Sequence, residues 1–366
     1  MHKVCHISSV HSTFDIRIFR KECRSLARAG YDVSLVVPAE REIVVDGVRI
    51  IPLEPPASRF ERVTRTDFEA FLKALKTGAE LFHCHDPELL LICYLLKLAG
   101  KKVIYDVHED VPRQIYYKRY IPVKFRPLVS SSIEVIESFF AKKFDAIVTA
   151  TAFIKERFQK ITDRPVVEIT NYPLVNELFE PVPWSERRPE ICYVGGITRI
   201  RGIVELVKSL EKVDTVLHLA GRFESEELFR EVSSLPGWKK VRYYGFVSRE
   251  KVKEILSRVK VGMVVLLPAP NHINSQPNKM FEYMSAGIPV IGSNFPLWKS
   301  VLEDNRVGLC VNPEDPDEIA EAINFLLTND DVAREMGERA RRLIIEKFNW
   351  EKEEKKLLQL YRELLD

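Results

Sequence analysis

The stretch from Asn274 to Ile291, NSQPNKMFEYMSAGIPVI, carries the pattern that decides the fold. Apolar residues recur at helical spacing over Pro277–Ala286, and proline suits the first position of a helix. Gly287 then ends the helix and Pro289 prevents its continuation, so the stretch is predicted to finish as a strand. An apolar run at Val261–Leu267 predicts another strand just before it. The stretch therefore predicts a strand–helix–strand unit of a parallel sheet.

The same alternation of apolar runs and amphipathic segments extends outward over most of the 366 residues. Residues 1–172 and residues 190–348 are each predicted to form a doubly wound parallel sheet with helices on both faces. Residues 173–189 are predicted to be a linker, because repeated prolines interrupt any helix or inner strand there. These prolines are Pro173, Pro181, Pro183 and Pro189. Residues 349–366 follow as a final helix.

The composition excludes several classes of protein. With 46% hydrophobic and 30% charged residues, the chain is too apolar to be disordered and shows no low-complexity bias. Its 55 basic residues nearly balance its 53 acidic ones, so no nucleic-acid partner is predicted. No apolar run approaches the ~20 residues of a membrane span, and the first residues are too weakly apolar for a signal peptide. We therefore predict a soluble, cytoplasmic protein.

The start of the Pro277–Ala286 helix has the features of an anion site. Its first backbone N–H groups have no partner within the helix, and its dipole favours negative charge there. Lys279 lies in the first turn, and the combination favours a phosphate or diphosphate. Glu282, about a turn further on, could accept two hydrogen bonds from a vicinal diol such as a ribose. A plain amphipathic helix with a lysine in its first turn is the alternative.

The segment from Lys279 to Ile291 resembles the donor-site signature of retaining glycosyltransferase family 4, which has the GT-B fold. HSTFDIRIFRKE from His11, HDPELL from His85 and YDVHED from Tyr105 resemble its bacterial and archaeal polysaccharide-type branch. YVGGITRIRG from Tyr193 resembles the loop that opens the family's C-terminal domain. The resemblance covers essentially the whole chain in the expected order.

The resemblance implies an α/β protein of the GT-B class, with two Rossmann-like doubly wound domains facing a cleft. It implies an N-terminal domain for the acceptor, a C-terminal domain for a nucleotide-diphosphate sugar, and a C-terminal helix that crosses back to the N-domain. The implied reaction moves a hexosyl unit, from a UDP-sugar first and a GDP-sugar second, to a glycan or lipid-linked acceptor. It is a retaining, same-face transfer that needs no metal.

On the donor side, the resemblance implies that Glu282 binds the nucleotide ribose. The family's first glutamate, eight positions earlier, falls on Asn274, so Asn274 and Ser275 are expected to take its place with different geometry. Phe246 and Val247 match the stretch whose backbone reads the base.

Two further positions depart from the family pattern. An arginine and a lysine are usual where this chain has Gly196 and Arg201. The diphosphate charge is therefore expected to fall to Arg201 and Lys279, with Arg199 as a substitute, and arginine keeps the cation that lysine would supply.

On the acceptor side, His108 matches the family's active-site histidine near the donor sugar, and Glu109 is its neighbour. Asp15 and Arg17 lie at the tip of the first strand–helix turn, where contact with an acceptor or phosphate is expected. The structural alternatives are a strand-end histidine that caps the backbone, an aspartate that begins a helix, and a surface arginine.

No metal or other cofactor is predicted. Asp315 and Asp317 resemble a metal-binding DxD motif, but Asp315, Pro316 and Glu318 are instead predicted to form the cap and first turn of a helix. His83 and His85 are ligand-type residues, but no second cluster at metal spacing accompanies them. The cysteines are scattered and are predicted to be reduced and mostly buried. They are Cys5, Cys23, Cys84, Cys93, Cys192 and Cys310.

The stretch Arg113–Arg126 mixes basic and aromatic residues without an acidic one. Such a mixture suits contact with an anionic membrane, at its inner face, or with a lipid diphosphate. A solvated basic face over core aromatic residues is the alternative. Two other functions stay open, a non-hydrolysing nucleotide-sugar epimerase and a two-domain solute-binding protein.

Overall fold

The computed structural model describes residues 1–55, 58, 61–117 and 121–366. The chain forms two compact units. The first comprises Met1–Asn171 together with Lys352–Asp366, and the second comprises Tyr172–Glu351. Each unit holds one sheet flanked by helices, so the prediction of two parallel-sheet α/β domains is confirmed.

The sheet of the first unit has the order β3-β4-β2-β1-β5-β6-β7-β8, parallel throughout except for the antiparallel pair β3–β4. The strands are β1 Lys3–Ile7, β2 Asp32–Pro38, β3 Ile43–Val45, β4 Val48–Leu53, β5 Leu81–Cys84, β6 Lys102–Val107, β7 Ala146–Thr149 and β8 Val166–Glu168. The helices are α1 Arg24–Arg28, α2 Asp67–Lys76, α3 Leu90–Leu98, α4 Val111–Gln114, α5 Arg126–Ala141 and α6 Ala152–Gln159. A π-helical segment, Ile18–Cys23, leads into α1.

The sheet of the second unit is wholly parallel, with the order β11-β10-β9-β12-β13-β14. Its strands are β9 Ile191–Val194, β10 Leu217–Ala220, β11 Val241–Tyr243, β12 Val261–Val264, β13 Val290–Ser293 and β14 Gly308–Val311. Its helices are α7 Ile203–Ser209, α8 Glu226–Ser233, α9 Arg249–Arg258, α10 Pro270–Ile273, α11 Asn278–Ser285, α12 Pro296–Leu302, α13 Pro316–Thr328 and α14 Asp330–Glu346. The last helix, α15 Trp350–Leu365, has residues 352–365 in the first unit.

Strand order reverses in each sheet, beside β1 in the first and beside β9 in the second. In such sheets, ligands bind outside the carboxyl ends of the strands where the order reverses. The loops after β1, β5 and β9 are therefore the places to look for function. The first core packs around Phe82 and Tyr105, and the second around Tyr283 and Trp298, all fully buried.

The stretch at 274–291 folds as predicted, with one difference. The helix is α11, which begins at Asn278, and Pro277 is the capping residue with an extended backbone rather than the first helical residue. Residues 173–189, the predicted linker, belong to the second unit. Within them, buried Arg187 donates hydrogen bonds to the carbonyl groups of Leu256, Val259 and Ala286. The segment therefore packs against the second unit at Arg187.

The prediction that all cysteines are reduced is wrong, because Cys84 and Cys93 form a disulfide. Cys84 ends β5, and Cys93 follows nine residues later in the first turn of α3. The bond therefore joins a strand to the helix packed on it. The sequence gives no cysteine-pair spacing that signals this contact. Among the described residues, no helix is both long and apolar enough to cross a membrane.

Gly202, which caps α7, and Gly100 offer a matched test of backbone crowding. Both have a left-handed backbone, with φ of +72° and +78°. A Cβ on Gly202 would lie 1.9 Å from the carbonyl oxygen of Val265, whereas a Cβ on Gly100 would meet no atom within 4 Å. We expect Gly100→Ala to cost about 1–2 kcal/mol of unfolding free energy, the usual penalty of that backbone region. Gly202→Ala should cost clearly more, because the carbonyl group of Val265, just after β12, must also move to make room for the new Cβ.

Urea unfolding followed by tryptophan fluorescence and by circular dichroism measures both costs. Equal losses of stability in the two variants would contradict the close approach of the Gly202 loop to the end of β12.

Candidate functional site

The loop after β9 and the start of α11 form the first part of the site. β9 ends at Val194, and Gly195 follows with φ of +131°. Lys279, the second residue of α11, lies over the ring of Tyr193, with its Nζ 3.7 Å from the ring centroid. A Cβ on Gly195 would come within 3.2 Å of that Nζ. The glycine therefore leaves the space that the lysine ammonium occupies.

Lys279 is 9% exposed, and its Nζ has no hydrogen-bond partner within the part of the chain that the structure describes. Burial, and then the charge of Arg201, lower the pKa of Lys279 well below its usual value. Arg201 donates to the carbonyl oxygen of Gly196 at 3.1 Å. A Cβ on Gly196 would lie 2.8 Å from the Arg201 Nη1. Two cationic side chains thus border the glycine pair without a counter-anion at the lysine, which is the electrostatic setting of an anion site.

Glu282 lies one turn after Lys279 on α11 and is held by an arginine that sequence reasoning missed. Arg249 Nη1 donates to Glu282 Oε1 at 2.8 Å. The same guanidinium makes a bidentate pair with Glu177, at 3.1 and 2.9 Å. Burial acts to lower the pKa of Arg249, but the two carboxylates raise it above its usual value. The side chain of Glu282 is therefore fixed through one oxygen at the surface of the unit.

Three of the expected donor-side residues are either paired with another group or exposed, and nothing in their surroundings tests the role expected of them. The Arg199 guanidinium is paired with Glu231, so it is already neutralised, although its role stays a prediction. Asn274 is exposed, and Ser275 donates from its hydroxyl to the carbonyl oxygen of His272 at 3.0 Å. The structure therefore brings together Gly196, Arg201 and Lys279 from the predicted set.

The predicted base-reading residues follow β11. Phe246 is 73% exposed, and the guanidinium of Arg222 lies 4.7 Å from its ring centroid. Val247 is half-buried against the core of the unit. Gly245, just before them, accepts a hydrogen bond at its carbonyl oxygen from Gly221 N–H at 2.7 Å. An exposed aromatic ring beside a fixed loop is available for stacking.

In the first unit, His108 follows β6 and is oriented by two neighbours. Its Nε2 lies 3.0 Å from Asp106 Oδ2 and 3.1 Å from His85 Nδ1. Asp106 is fully buried and would have a raised pKa for that reason, but Arg17 and His108 hold its pKa well below the usual range. The imidazole of His108 is 17% exposed. The ring is therefore fixed from within while one edge reaches the surface.

Arg17 is not a surface residue, and that alternative is wrong. It is 4% exposed, and its Nε and Nη2 pair with both oxygens of Asp106 at 3.1 and 2.9 Å. Its Nη1 donates to the carbonyl oxygen of Ile169 at 2.7 Å. The buried carboxylate at 106 explains why the side chain turns inward. The expected contact between Arg17 and an acceptor is therefore replaced by another role. Arg17 lies beneath the site and holds the Asp106 carboxylate that orients His108.

Asp15 and Glu109 have modest roles in the described structure. Asp15 Oδ1 accepts from the backbone N–H of Arg17 at 2.8 Å and of Ile18 at 2.9 Å, which is the helix-start alternative. Glu109 is exposed and accepts a hydrogen bond from Gln114 Nε2. These hydrogen bonds do not show whether Asp15 or Glu109 contacts an acceptor, so both contacts stay predictions.

The carboxyl ends of β1 and β5 add an ion pair that sequence reasoning did not single out. His11 Nδ1 lies 3.1 Å from Asp86 Oδ1, while Ser8 Oγ and Ser9 N–H donate to Asp86 Oδ2. Burial opposes the charge on His11, but Asp86 raises the pKa of His11 above its usual value. The His11 and His108 rings are 5.0 Å apart. The HDP motif, which contains Asp86, was the signal that could have located this pair.

Comparison with known proteins matches both parts of the chain to families. Residues 175–343 match the family described as "Glycosyl transferases group 1", and residues 17–174 match "Glycosyl transferase 4-like domain". An alpha-maltose-1-phosphate synthase of Mycolicibacterium smegmatis is 30% identical over 192 residues, which are 48% of each chain. A glycogen synthase of Mycobacterium tuberculosis is 20% identical over 61% of this chain and 55% of its own. The chain thus matches about half the length of these curated relatives.

Solved structures of similar fold cover the whole chain. A sucrose-phosphate synthase from Thermosynechococcus elongatus superposes with a TM-score of 0.78 at 20% identity, over 100% of this chain and 99% of that chain. The HepE protein of Anabaena, solved in complex with UDP-glucose, superposes with a TM-score of 0.74 at 12% identity over all of both chains. At such identities the likeness shows the fold alone.

The unpaired ammonium of Lys279 generates a test of the anion site. An anion bound there favours the charged lysine and raises its pKa, so binding takes up a proton at pH values between the free and bound pKa. We expect pyrophosphate affinity to fall as pH rises through that window. Calorimetry in two buffers with different ionisation enthalpies measures the uptake.

Lys279→Met should remove the proton uptake and weaken pyrophosphate binding. Lys260→Met is the matched control, because Lys260 is equally buried but is already paired with Asp330. Binding without proton uptake in the unaltered protein, or equal effects of the two substitutions, would contradict this assignment.

Proposed function

Since the chain belongs to the group 1 glycosyl transferases, we propose that it transfers a hexosyl unit from a nucleoside-diphosphate sugar to a glycan or lipid-linked acceptor. The observation that carries the proposal is the buried ammonium of Lys279, which lacks a hydrogen-bond partner among the described residues and lies beside Arg201. A diphosphate supplies the negative charge that this arrangement lacks.

The donor is proposed to bind with its diphosphate between Lys279, Arg201 and the backbone of Gly195 and Gly196. At the N-terminal end of α11, backbone N–H groups and the helix dipole add to the attraction. The ribose is proposed to bind Glu282 through Oε2, because Arg249 already occupies Oε1. We favour UDP over GDP as the nucleotide, in line with the UDP-glucose bound in the HepE structure of similar fold.

The proposed chemistry is a same-face transfer with retention. The bond from the sugar C1 to the diphosphate oxygen breaks, and the bond from C1 to the acceptor oxygen forms on the same face. The leaving-group phosphate oxygen takes the acceptor proton. Arg201 and Lys279 stabilise the negative charge that develops on the diphosphate, so the residues of this chain carry the step without a metal. Both side chains are in place before the reaction, and binding of the diphosphate favours the charged form of Lys279.

His108 is proposed to contact the donor sugar. Asp106 and His85 engage its Nε2, so Nδ1 is the atom left for a substrate hydroxyl. The acceptor is proposed to bind the first unit near His108, with Glu109 at its exposed edge. This would account for a histidine that is oriented by buried groups yet reaches the surface.

A panel of nucleotides tests the donor site. We expect UDP, the proposed nucleotide, to raise the melting temperature of the unaltered protein more than GDP, ADP or dTDP. A ligand that binds only the native state stabilises it by about 2.7 kcal/mol at a hundred times its Kd. Lys279→Met and Glu282→Gln should lose most of the UDP shift, whereas Lys260→Met should retain it. Transfer activity should fall on the order of a hundredfold or more in the first two variants.

No shift with any nucleotide would reject the donor assignment. Conversion of a sugar nucleotide alone, with no acceptor present, would instead favour the epimerase alternative. Unchanged melting temperatures of the free variants show that loss of the shift is not loss of folding.

We also propose that the first unit contacts an anionic membrane. The structure extends the Arg113–Arg126 stretch into α5, and a row of apolar side chains is exposed along the turn before α5 and along the helix itself. They are Val123, Phe125, Leu128, Val135, Ile136 and Phe139. Lys124 Nζ lies 5.0 Å from the Phe125 ring and Lys143 Nζ lies 5.6 Å from the Phe139 ring. Cations beside exposed aromatic rings suit the boundary between lipid headgroups and acyl chains.

Two details define the proposed surface further. Arg113 is paired with Glu134 at 2.8 Å, so its charge is already matched. Lys118, Arg119 and Tyr120, which the sequence interpretation included, lie outside the described residues. The proposal therefore rests on the exposed apolar row of α5 with Lys124 and Lys143, and it places the reaction at the cytoplasmic face of a membrane.

Co-sedimentation with vesicles of phosphatidylglycerol and phosphatidylcholine tests this surface. We expect the double substitution Phe125→Ser and Leu128→Ser to weaken binding at least about tenfold, since each side chain loses apolar burial worth more than 1 kcal/mol. Phe325→Ser removes a comparably exposed phenylalanine from α13 in the second unit and should change nothing. Binding that survives the double substitution, or that needs no anionic lipid, would refute the proposal.

A further inference from the structure

A cluster of four buried side chains lies beneath the strand ends of the first unit. His6 comes from β1, Glu22 from the π-helical segment before α1, and His83 and His85 from β5 and the residue after it. Each offers a ligand atom, and these atoms all lie within 4.8 Å of one another. All four residues are fully buried. In the sequence, His83 and His85 have no second group of ligands at metal spacing, and the fold supplies that group.

Strand pairing explains why the histidines meet. β1 and β5 are parallel neighbours, and His6 lies opposite His83 in their register. Side chains two apart along a strand share a face, so His83 and His85 both lie on the face that carries His6. The three rings stack, with centroid separations of 4.7 to 5.1 Å. Glu22 then approaches from the segment that follows β1.

Each histidine is held through one ring nitrogen by a group outside the cluster. Tyr361, on α15, has its hydroxyl 3.0 Å from His6 Nε2 and 2.9 Å from His83 Nδ1. A tyrosine oxygen can accept from both rings. His85 Nδ1 lies 3.2 Å from Asp106 Oδ2. The remaining nitrogens are His6 Nδ1, His83 Nε2 and His85 Nε2. Metal-binding histidines are oriented in this way, by a carboxylate or hydroxyl on the second nitrogen.

The inward atoms are poorly satisfied by the protein itself. His83 Nε2 and both carboxyl oxygens of Glu22 make no hydrogen bond within the described chain. Glu22 Oε2 lies 3.9 Å from both His6 Nδ1 and His85 Nε2. Each unsatisfied buried group costs about 1–3 kcal/mol. His6 Nδ1 and His85 Nε2 lie 2.8 Å apart and can share one hydrogen bond, but His83 Nε2 and Glu22 Oε2 converge on the same space without a donor, as the ligands of a cation would.

The charges lead to the same conclusion. Arg17 is the guanidinium nearest the cluster, with Nε 3.0 Å from Glu22 Oε1. The same guanidinium is already paired with both oxygens of Asp106. One buried positive charge is therefore shared by two buried carboxyl groups. Burial and the charge of Asp106 raise the pKa of Glu22 well above its usual value, so Glu22 is favoured as the neutral acid unless a cation binds there.

We propose that His6, Glu22, His83 and His85 bind a zinc ion. Three imidazole nitrogens and one carboxylate oxygen form a donor set that zinc binds with tetrahedral geometry, whereas calcium and magnesium prefer oxygen atoms alone. Donor atoms on one tetrahedral zinc are about 3.3 Å apart. The separations of 2.8 Å between His6 and His85 and 3.9 Å from Glu22 bracket that value.

A second group of possible ligands, His85, Asp106 and His108, shares one histidine with this site. It offers three residues rather than four, and the Arg17 guanidinium already engages both oxygens of Asp106. The first group is therefore the better cation site. With four protein ligands and no exposed face, it would be structural: zinc would join β1 to β5 and, through Tyr361, to α15.

The experiment measures metal in the untagged chain of 366 residues. The protein is purified without chelators, and its zinc content is measured by inductively coupled plasma mass spectrometry. We expect about one zinc per chain, the stoichiometry of a closed four-ligand site. Removal of zinc by a chelator during unfolding should lower the melting temperature after refolding, and refolding with zinc should restore it. Refolding with cobalt should give the visible absorption bands of tetrahedral Co²⁺.

Variants locate the metal. Glu22→Gln and His83→Asn should lose zinc and the cobalt absorption, whereas His108→Asn should retain both, because it belongs only to the second group. His218→Asn is the matched control. His218 is also buried between a tyrosine and a glutamate, Tyr244 and Glu190, but belongs to no group of possible metal ligands among the described residues.

The unaltered protein decides the question even if a variant fails to fold. Protein that binds no zinc or cobalt after refolding with either metal would overturn the proposal, as would a melting temperature indifferent to chelator and zinc. Retention of stoichiometric zinc by folded Glu22→Gln and His83→Asn would overturn it as well, because the metal would then lie elsewhere.

Discussion

The ammonium group of Lys279 is the constraint on which the site of the second unit depends. It is buried without a hydrogen-bond acceptor in the described chain, and Arg201 beside it carries the same charge. A carboxylate could have matched it, and Glu282 lies one turn along the same helix. Arg249, however, holds that carboxylate. The unit therefore keeps an excess of positive charge at the loop after β9, which an anionic ligand would relieve.

The first unit shows the opposite imbalance. Asp106 and Glu22 are both fully buried, and the one guanidinium between them, Arg17, is bidentate on Asp106. His85 and His108 also lie within hydrogen-bonding distance of Asp106. The two units thus use similar sheets to bury groups of unlike sign near strand ends. In each unit these buried groups, rather than a pocket shape, are the observations behind the proposed ligand, an anion in the second unit and a metal ion in the first.

Local patterns in the sequence predicted the elements of the donor side, and the family resemblance supplied the residues expected to share a ligand there. The strand, loop and helix around Lys279 follow one another directly, so residue spacing predicted that unit. That Lys279 and Arg201 would share a diphosphate, with Glu282 on the ribose, was implied by the resemblance. Predictions from spacing succeed because helical periodicity and the parallel-sheet rule operate over a few residues. The error at Pro277, by one position, lies within the same local range.

Long-range pairs were beyond the sequence because periodicity contains no information about them. Arg17 turns inward to meet Asp106, which lies far along the chain, and Arg249 reaches Glu177 and Glu282 in the same way. The register between β1 and β5 is an exception, because it follows directly once the two strands are known to pair. Once those strands are paired, His6 must lie opposite His83. The buried strand LFHC places one histidine opposite another, which is costly in a plain core, so the pairing of β1 with β5 is the observation from which the metal proposal starts.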